Sequence, residues 1–316
     1  MLRQQDVGHR IVVRRIVGIR EGRPLFSDAL GELVELSETH LTLATAQGPL
    51  RVPVAQVHRA KRVPPTRRPT AAAVVALERA ADEAWPAPTR GRLGDWLLRS
   101  AEGWTGRANS ALPVGDPDRP LPAAVDAVER WYAEQGQPAM INTPLPLAAP
   151  VGAELDDRGW GSRPPTLVQT VPLPLAGPTA TSVAVELATA PSEEWLAIAA
   201  GRKGGLPDAA RHVLTAVEQV RFAHVYADGT LVATGRGTVT GEGRRWLGLS
   251  LIEVVPAARR QGLARRVIHA LADWGVSAGA THAFLQVEQR NTAAVALYRT
   301  LGFTTHHTYL TRVAPH

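Results

Sequence analysis

The sequence contains no cysteine, which excludes disulfide bonds, zinc sites built on thiolates and a cysteine nucleophile. It also lacks any run close to the roughly 18 uninterrupted apolar residues that a membrane helix requires, so we expect no membrane association. The first residues do not combine a basic segment with an apolar one, so no secretory signal peptide is predicted. Together these absences favour a cytoplasmic protein.

Lysine is nearly absent as well, because Lys61 and Lys203 are the only two and almost all of the 35 basic residues are arginine. Arginine in place of lysine along a whole chain is typical of a GC-rich genome. The net charge of +6 is therefore a weak indication of nucleic-acid binding, and we expect no nucleic-acid partner. A length of 316 residues with 45% apolar content suits two or three domains with sizeable cores.

The most informative segment present is Val254–Arg266, with the sequence V-V-P-A-A-R-R-Q-G-L-A-R-R. The apolar run Trp246–Val255 predicts a strand, which Pro256 ends because proline has no N–H for a ladder. Apolar residues recur at helical spacing after Gly262. A strand, a basic glycine turn and a helix direct free N–H groups, a positive helix end and arginines toward one point. The segment therefore predicts a phosphate or pyrophosphate site.

Other glycine-rich phosphate motifs do not fit the sequence. No G-x-x-x-x-G-K-[ST] segment is present, and Gly235-Arg-Gly237 lacks the third glycine of a dinucleotide fingerprint. What does fit is Arg259-x-x-Gly262-x-Ala264, which resembles the acyl-CoA pyrophosphate loop, R/Q-x-x-G-x-G/A, of the GNAT superfamily of N-acetyltransferases. The alternative is a basic helix start that binds no ligand.

A second pattern downstream supports this resemblance. The superfamily pattern N-x-x-A-x-x-L-Y-x-x-x-G-F is matched at every position by Asn291, Ala294, Leu297, Tyr298, Gly302 and Phe303. Asn291 is expected to cap a helix that Gly302 ends. Because both motifs occur in the usual order and separation, residues 180–316 are expected to form a catalytic GNAT domain.

The resemblance implies acetyl-CoA as the co-substrate. Its pantetheine arm would add to the central strand through the backbone of Ile252 and Val254, while its diphosphate would meet backbone N–H groups after Arg259. Arg259 and Arg265 are the expected charge partners, since guanidinium suits phosphate oxygens. The cofactor-binding residues expected are Ile252, Val254, Arg259, Arg260, Gln261, Gly262, Leu263, Ala264, Arg265, Asn291, Ala294 and Tyr298.

The resemblance also places Tyr298 as the acid that protonates the departing thiolate, although a tyrosine packed on the sheet is an alternative. The general base stays open between Glu253, Glu288 and a water relay, because either glutamate also suits a solvated surface. The histidines His224 and His282 lie in predicted strands and suit satisfied core positions. His306-His307 would point to opposite faces of a strand, so we expect no metal site.

The N-terminal part suggests further domains. Residues 1–62 contain five short β-rich segments, among them Leu30–Leu36, and predict a small SH3-like β-barrel. Residues 63–71 form a Pro/Arg linker. Residues 72–176 follow the order of the last two-thirds of a GNAT unit, including a strand predicted at Ala108–Val114, but Val114–Pro120 places acids and prolines where the pyrophosphate loop would lie. We interpret this region as a degenerate GNAT-like unit.

The predicted fold class is therefore mixed α+β, with an SH3-like barrel followed by two GNAT-like mixed-sheet units, the first degenerate, as in a bacterial type of GNAT protein. The predicted function is transfer of an acetyl group from acetyl-CoA to a primary amine, directly and within a ternary complex. The acceptor amine belongs to a small molecule or a protein, and a homodimer is left open. The alternative is a non-catalytic protein that senses acyl-CoA or acts as a regulatory binding protein.

Overall fold

The computed structural model describes residues 2–45, 48–63, 69–177, 184–203 and 205–315. The chain divides into two compact units, residues 1–68 and residues 69–316. Positions 64–68 of the predicted linker and positions 180–183 of the predicted catalytic domain lie outside the described ranges. Within those ranges, no helix combines the length and the apolar character needed to cross a bilayer.

The first unit is a five-stranded antiparallel sheet in the order β4-β3-β2-β1-β5. Alternate side chains on one face, including Ile11, Val13 and Leu43, are fully buried, as a period-two apolar pattern requires. In the described residues β4 and β5 are the two edges of this sheet, so the closed barrel is not confirmed. The five predicted strands are present, as β1 (Arg10–Arg20), β2 (Arg23–Leu36), β3 (His40–Thr45), β4 (Gly48–Pro53) and β5 (Val57–Arg62).

The second unit is a mixture of helices and strands. Its helices are α1 (Ala71–Glu83), α2 (Leu121–Glu134), α3 (Ala149–Asp157), α4 (Glu193–Lys203), α5 (Asp208–Thr215), α6 (Leu263–Ser277) and α7 (Thr292–Thr300). Its strands are β6 (Thr89–Leu93), β7 (Trp96–Ser100), β8 (Met140–Leu145), β9 (Gly161–Ser162), β10 (Thr166–Pro172), β11 (Glu186–Ala188), β12 (Val220–Ala227), β13 (Thr230–Thr240), β14 (Trp246–Val254), β15 (His282–Glu288) and β16 (Thr304–Val313).

One mixed sheet runs through the second unit in the order β11-β12-β13-β14-β15-β10-β16-β8, with β9 paired to β16. Residues 69–177, here called the first half, contribute β8, β9 and β10, and residues 184–315, the second half, contribute the rest. β10 lies between β15 and β16 and is antiparallel to both. The two halves therefore share one sheet, and two separate GNAT-like units are not confirmed. Pairing between such distant segments leaves no local pattern in the sequence.

Helices cover both faces of this sheet. Phe284 and Leu285 are neighbours on β15 and belong to different clusters of buried side chains, because successive residues of a strand point to opposite faces. Leu285 packs with Val267 and Leu271 of α6, while Phe284 packs with Leu77 and other residues of α1. The first half thus provides the helix that covers the face opposite α6.

The strand predicted at Ala108–Val114 is wrong. A single 3₁₀ turn forms at Arg107–Asn109, followed only by isolated bridges at Ala111 and Leu112. The buried side chain of Asn109 replaces a strand partner, because its carbonyl accepts the N–H groups of Ala101 and Gly103 at 2.8 and 2.9 Å. A side chain that satisfies a loop in this way competes with regular pairing.

The central strands separate partway along their length. β14 and β15 are parallel and paired from Trp246 opposite His282 to Leu249 opposite Leu285, and the pairing stops there. Just beyond that point Leu251 has a φ of 52°, and the register of β14 against β13 shifts between Thr234 and Arg236. These features define a β-bulge, which bends β14 away from β15.

Gly235 lies on β13 opposite this bulge, and its lack of a side chain lets α6 approach the sheet. A Cβ at this position would lie 2.4 Å from Val267 Cγ1 and 2.9 Å from Ile252 Cδ1. We expect Gly235→Ala to lower the free energy of unfolding by about 1–3 kcal/mol through overpacking, measured by urea denaturation. In the matched control Gly201→Ala, where a Cβ would meet nothing within 4 Å, stability should stay the same or rise. Equal midpoints for wild type and Gly235→Ala would contradict this packing role.

Candidate active site

The segment between β14 and α6 forms a tight turn that leaves N–H groups exposed. After a 3₁₀ turn at Pro256–Ala258, Arg260 and Gly262 both adopt left-handed backbone angles, with φ of 67° and 76°. Gly262 is the N-cap of α6, and the N–H of Arg266 is the first to donate to its carbonyl, at 3.2 Å. The N–H groups of the first helical turn before Arg266 have no partner within the helix, as at any helix N-terminus.

Glycine at position 262 is required by its backbone angle. A Cβ there would meet no protein atom within 4 Å, so the space above the turn is open. The absent Cβ keeps this space free above the backbone N–H groups, but crowding by protein atoms is not the reason for the glycine. Residues with side chains reach this φ only with strain.

Arg259 and Arg265, the arginines predicted to bind the cofactor, are exposed, and each donates one hydrogen bond to a neighbouring residue. Arg259 donates from Nε to the carbonyl of Val254 at 3.1 Å, which places its side chain along the end of β14. Arg265 donates to Thr300 Oγ1 at 2.8 Å and so links α6 to the end of α7. Of the other predicted turn residues, Arg260, Gln261 and Gly262 are exposed, Ala264 is half-buried and Leu263 is buried in the core.

The backbone of β14 beyond the bulge presents unused groups to the gap. Val255 donates its N–H to Val232 at 2.9 Å, so Val254 and its partner Ala233 form the kind of antiparallel pair that exchanges no direct hydrogen bonds. By the same alternation, the backbone groups of Ile252 and Val254 point away from β13, toward the side that β15 has left. The Val254 N–H and both Ile252 groups thus line the split, while the Val254 carbonyl is held by Arg259.

The motif from Asn291 to Phe303 follows β15, the other strand that borders the split. Asn291 is the N-cap of α7 and accepts the N–H of Ala294 at 3.2 Å, as predicted for a capping asparagine. Tyr298 is half-buried, with its ring 5.8 Å from that of Phe303. The structure therefore brings the turn at Gly262 and the start of α7 to the same end of the sheet, since both follow parallel strands.

The two candidate bases differ in their surroundings. Glu253 is half-buried on β14, opposite Thr234, and by alternation it points to the face opposite Ile252 and Val254. Glu288 is exposed at the end of β15, and its carboxylate accepts from Arg290 Nε at 2.6 Å. Both glutamates therefore lie on strands that border the split and, by alternation, face away from α6, but the carboxylate of Glu288 is engaged by Arg290.

The histidines occupy defined structural positions. His224 is buried, with Nδ1 3.1 Å from the carbonyl of Phe222 and Nε2 3.2 Å from Ser192 Oγ. The prediction that His306 and His307 point to opposite faces is wrong, because a bulge in β16 brings their Nδ1 atoms within 2.8 Å. His307 also contacts Glu78 of α1 at 2.7 Å. Within the described residues, no three potential ligands cluster as a metal site would require.

A buried arginine that was not predicted from the sequence, Arg236, joins the two halves. Arg236 of β13 donates to the carbonyl of Ala84, at the end of α1, and to those of Val213 and Leu214 in the last turn of α5, at 2.8–3.1 Å. Burial, followed by the charge of Arg107, lowers the pKa of Arg236 to about 9. The helix C-termini offset part of the cost of burying this charge. A lone arginine within an apolar strand was the available signal.

The loop Val114–Pro120 of the first half, which the sequence predicted to lie where a second pyrophosphate loop would be, is occupied by its own side chains. The Asp95 carboxylate accepts the N–H of Asp116 at 3.0 Å, and the Asp116 carboxylate accepts that of Asp118 at 2.8 Å. A Cβ at Gly115 would lie 2.5 Å from Asp95. Carboxylates thus take up N–H groups that could otherwise bind an anion, as the acidic sequence of Val114–Pro120 suggested.

A mixed sheet that splits between two parallel strands, with a glycine-capped helix at the split, defines a GNAT-type acyltransferase fold. A solved GCN5-related N-acetyltransferase from Kribbella flavida shares this fold, with a TM-score of 0.60 at 18% identity over 79% of this chain and 97% of that one. Residues 71–311 match the family described as "Probable histone acetyltransferase Rv0428c C-terminal", and the chain belongs to this family.

Two curated relatives agree with this assignment. The chain is 31% identical over 315 residues to "Probable histone acetyltransferase Rv0428c" of Mycobacterium tuberculosis, covering 97% of this chain and 95% of that protein. It is 30% identical over 244 residues to "Uncharacterized N-acetyltransferase YobR" of Bacillus subtilis, covering 72% of this chain and 93% of that protein. The protein is therefore an enzyme of the acetyl-CoA-dependent acyltransferase class.

The half-buried contact of His306 with His307 predicts a pH dependence of stability. Burial, followed by the charge of His307, lowers the pKa of His306 from 6.5 to about 4. The unfolded state then binds more protons than the folded state between these values, so the free energy of unfolding should fall as the pH drops from about 6.5 to 4. His306→Asn should flatten this slope in urea denaturation series, whereas the exposed control His212→Asn should leave it unchanged. An unaltered slope in His306→Asn would show that His306 does not cause this pH dependence.

Proposed function

We propose that this protein is an N-acetyltransferase that moves the acetyl group of acetyl-CoA directly to a primary amine within a ternary complex. The observation that carries the proposal is the split between β14 and β15, where the backbone N–H groups of Ile252 and Val254 point away from β13 and the strand leads into the open turn at Gly262. An extended thioester arm needs such a strand edge, and a diphosphate needs such a helix N-terminus.

Cofactor binding is assigned along this path. The pantetheine arm pairs with the backbone of Ile252 and Val254, and the diphosphate accepts from N–H groups of residues 260–264. Arg259 and Arg265 are exposed beside the turn and supply positive charge. Asn291 and Ala294 at the start of α7, with Tyr298 one turn further on, form the opposite wall.

The reaction has three steps that the site must support. The acceptor amine attacks the thioester carbonyl in its neutral form, the carbonyl oxygen becomes negative, and the carbon–sulfur bond then breaks. In our proposal Tyr298 gives its proton to the departing thiolate. Glu253 removes the proton of the amine, directly or through water, because it lies on the strand of the split and faces away from α6. Glu288 is the second candidate, with its carboxylate engaged by Arg290.

The acceptor is proposed to approach from the face covered by α1, since the cofactor occupies the side of α6. Small-molecule amines and the lysine amines of proteins are both candidates. The relative from Mycobacterium tuberculosis is named as a probable histone acetyltransferase, which makes a basic peptide one test substrate. The non-catalytic alternative is not favoured, because the relatives are named as acetyltransferases.

We further propose that residues 72–176 are a degenerate GNAT-like unit fused to the catalytic unit at residues 180–316. Ala111 is bridged in parallel to Ile141 of β8, and α2 connects them, which is the strand–helix–strand order of β14, α6 and β15. Its loop is filled by Asp95 and Asp116, so it is not proposed to bind a cofactor.

For residues 1–62 we propose an SH3-like module with residues 63–71 as its linker. The strand order β4-β3-β2-β1-β5 and the 3₁₀ turn at Val54–Gln56 before the last strand support this proposal. We propose a structural role for this module rather than a binding role, since Phe26 is its only aromatic residue of the Phe, Tyr and Trp types.

Gly262→Asp should weaken acetyl-CoA binding at least about tenfold, because a carboxylate on the turn repels the diphosphate. Gly262→Asn is the matched control, since it has the same shape and asparagine also tolerates a left-handed backbone. Affinity is measured by isothermal titration calorimetry and folding by circular dichroism. Equal affinities of the Asp and Asn variants would reject this turn as the diphosphate site.

Tyr298→Phe should lower kcat by about 100-fold, as expected for a lost general acid, with a much smaller effect on acetyl-CoA affinity. Thiol release from acetyl-CoA is followed with a panel of amines, including a basic peptide, an aminoglycoside and a polyamine. Release that depends on an added amine supports acetyl transfer. A Tyr298→Phe enzyme with normal kcat and only a raised KM would remove the tyrosine from the acid role.

A further inference from the structure

The first half contributes directly to the wall of the split on the face opposite α6. Trp85, Trp104 and Ala108 share one buried cluster with Trp195 of α4 and with Leu251, the residue at the centre of the bulge. Trp85 and Trp104 stack with ring centroids 5.4 Å apart. The side chains next to the bulge on this face therefore come from both halves.

Arg107 lies in this wall with one nitrogen of its guanidinium group lacking a partner. The group sits 4.8 Å above the ring of Trp85, and its Nε is buried with no acceptor within reach among the described residues. The side chain as a whole is half-buried. Two fully buried arginines nearby are satisfied, since Arg99 donates to Asp82 and Ser110, and Arg236 donates to three carbonyls. Burial lowers the pKa of Arg107, which is the direction expected for a cation short of partners.

The position of Arg107 relates it to the split. Tyr309 of β16 lies close enough to Arg107 to raise the pKa of the guanidinium, and its hydroxyl donates to Gln286 Oε1 at 3.2 Å. Gln286 is the first residue of β15 after Leu285, the last one paired with β14. Arg107 is therefore near the point at which the two strands separate, on the face that α1 covers. Among the carboxylates, Glu78 raises the pKa of Arg107 the most, but its carboxylate already contacts His307.

We propose that Arg107 binds an anionic oxygen group of the acceptor, so that the preferred substrate carries a carboxylate or phosphate in addition to its primary amine. A half-buried guanidinium that lies over an aromatic ring with its Nε unpartnered is suited to a planar bidentate oxyanion. Glu253, on the strand that borders the same face, would meet the amine end of such a molecule. The wall thus offers opposite charges to a zwitterionic acceptor. This inference rests on the acetyl transfer proposed above and names its substrate class.

The test compares amines that differ only in the anionic group. L-Lysine is paired with cadaverine, and O-phosphoethanolamine with ethanolamine, in thiol-release assays of the full chain with acetyl-CoA. Wild-type enzyme should favour one anionic member of these pairs, and whichever pair shows the preference distinguishes carboxylate from phosphate. Arg107→Met retains a side chain over Trp85 without charge and should lower kcat/KM for that anionic amine by about 10- to 100-fold, while its neutral partner changes little.

Two further variants separate recognition from structure. Arg107→Lys should restore part of the preference, and Arg130→Met, an exposed arginine of α2, should leave it intact. Equal turnover within each pair, or an equal loss for both members in Arg107→Met, would overturn the inference and leave acetyl transfer standing. No thiol release with any amine, despite acetyl-CoA binding seen by calorimetry, would overturn acetyl transfer and this inference together.

Discussion

Beyond Leu249 and Leu285, the parallel strands β14 and β15 share no further ladder, and the remaining features of the site follow from that separation. The bulge at Leu251 turns β14 away and holds a bulky residue at a left-handed φ of 52°. Such strain persists only where the surrounding packing fixes it. Here Leu251 is anchored in a cluster with tryptophans of both halves, so the gap is built into the core.

The first half shares its sheet and its core with the second half. Its strand β10 completes the sheet between β15 and β16, and Arg236 joins the ends of α1 and α5. Its loop at Val114–Pro120 is filled by the carboxylates of Asp95 and Asp116. The first half thus supplies packing beside the split, while the open turn at Gly262 belongs to the second half.

Local patterns predicted the elements that depend on neighbouring residues. The turn at Gly262 and the cap at Asn291 follow from backbone needs that a few residues express, and both were found where the motifs placed them. The strand expected at Ala108–Val114 failed because Asn109 satisfies the loop through its side chain, which apolar periodicity does not register. The facing directions of His306 and His307 failed because a bulge interrupts the alternation of β16.

The sequence by itself determined the kind of site, because a glycine turn, a capped helix and their order along the chain are local properties. The tertiary structure alone decided how the halves combine. The insertion of β10 into the second half's sheet, the contact of Arg236 with two helix ends and the placement of Arg107 beside the split all join residues far apart in the chain. Such contacts are selected by packing and by the need to satisfy buried charge, and neither requirement leaves a periodic pattern in the sequence.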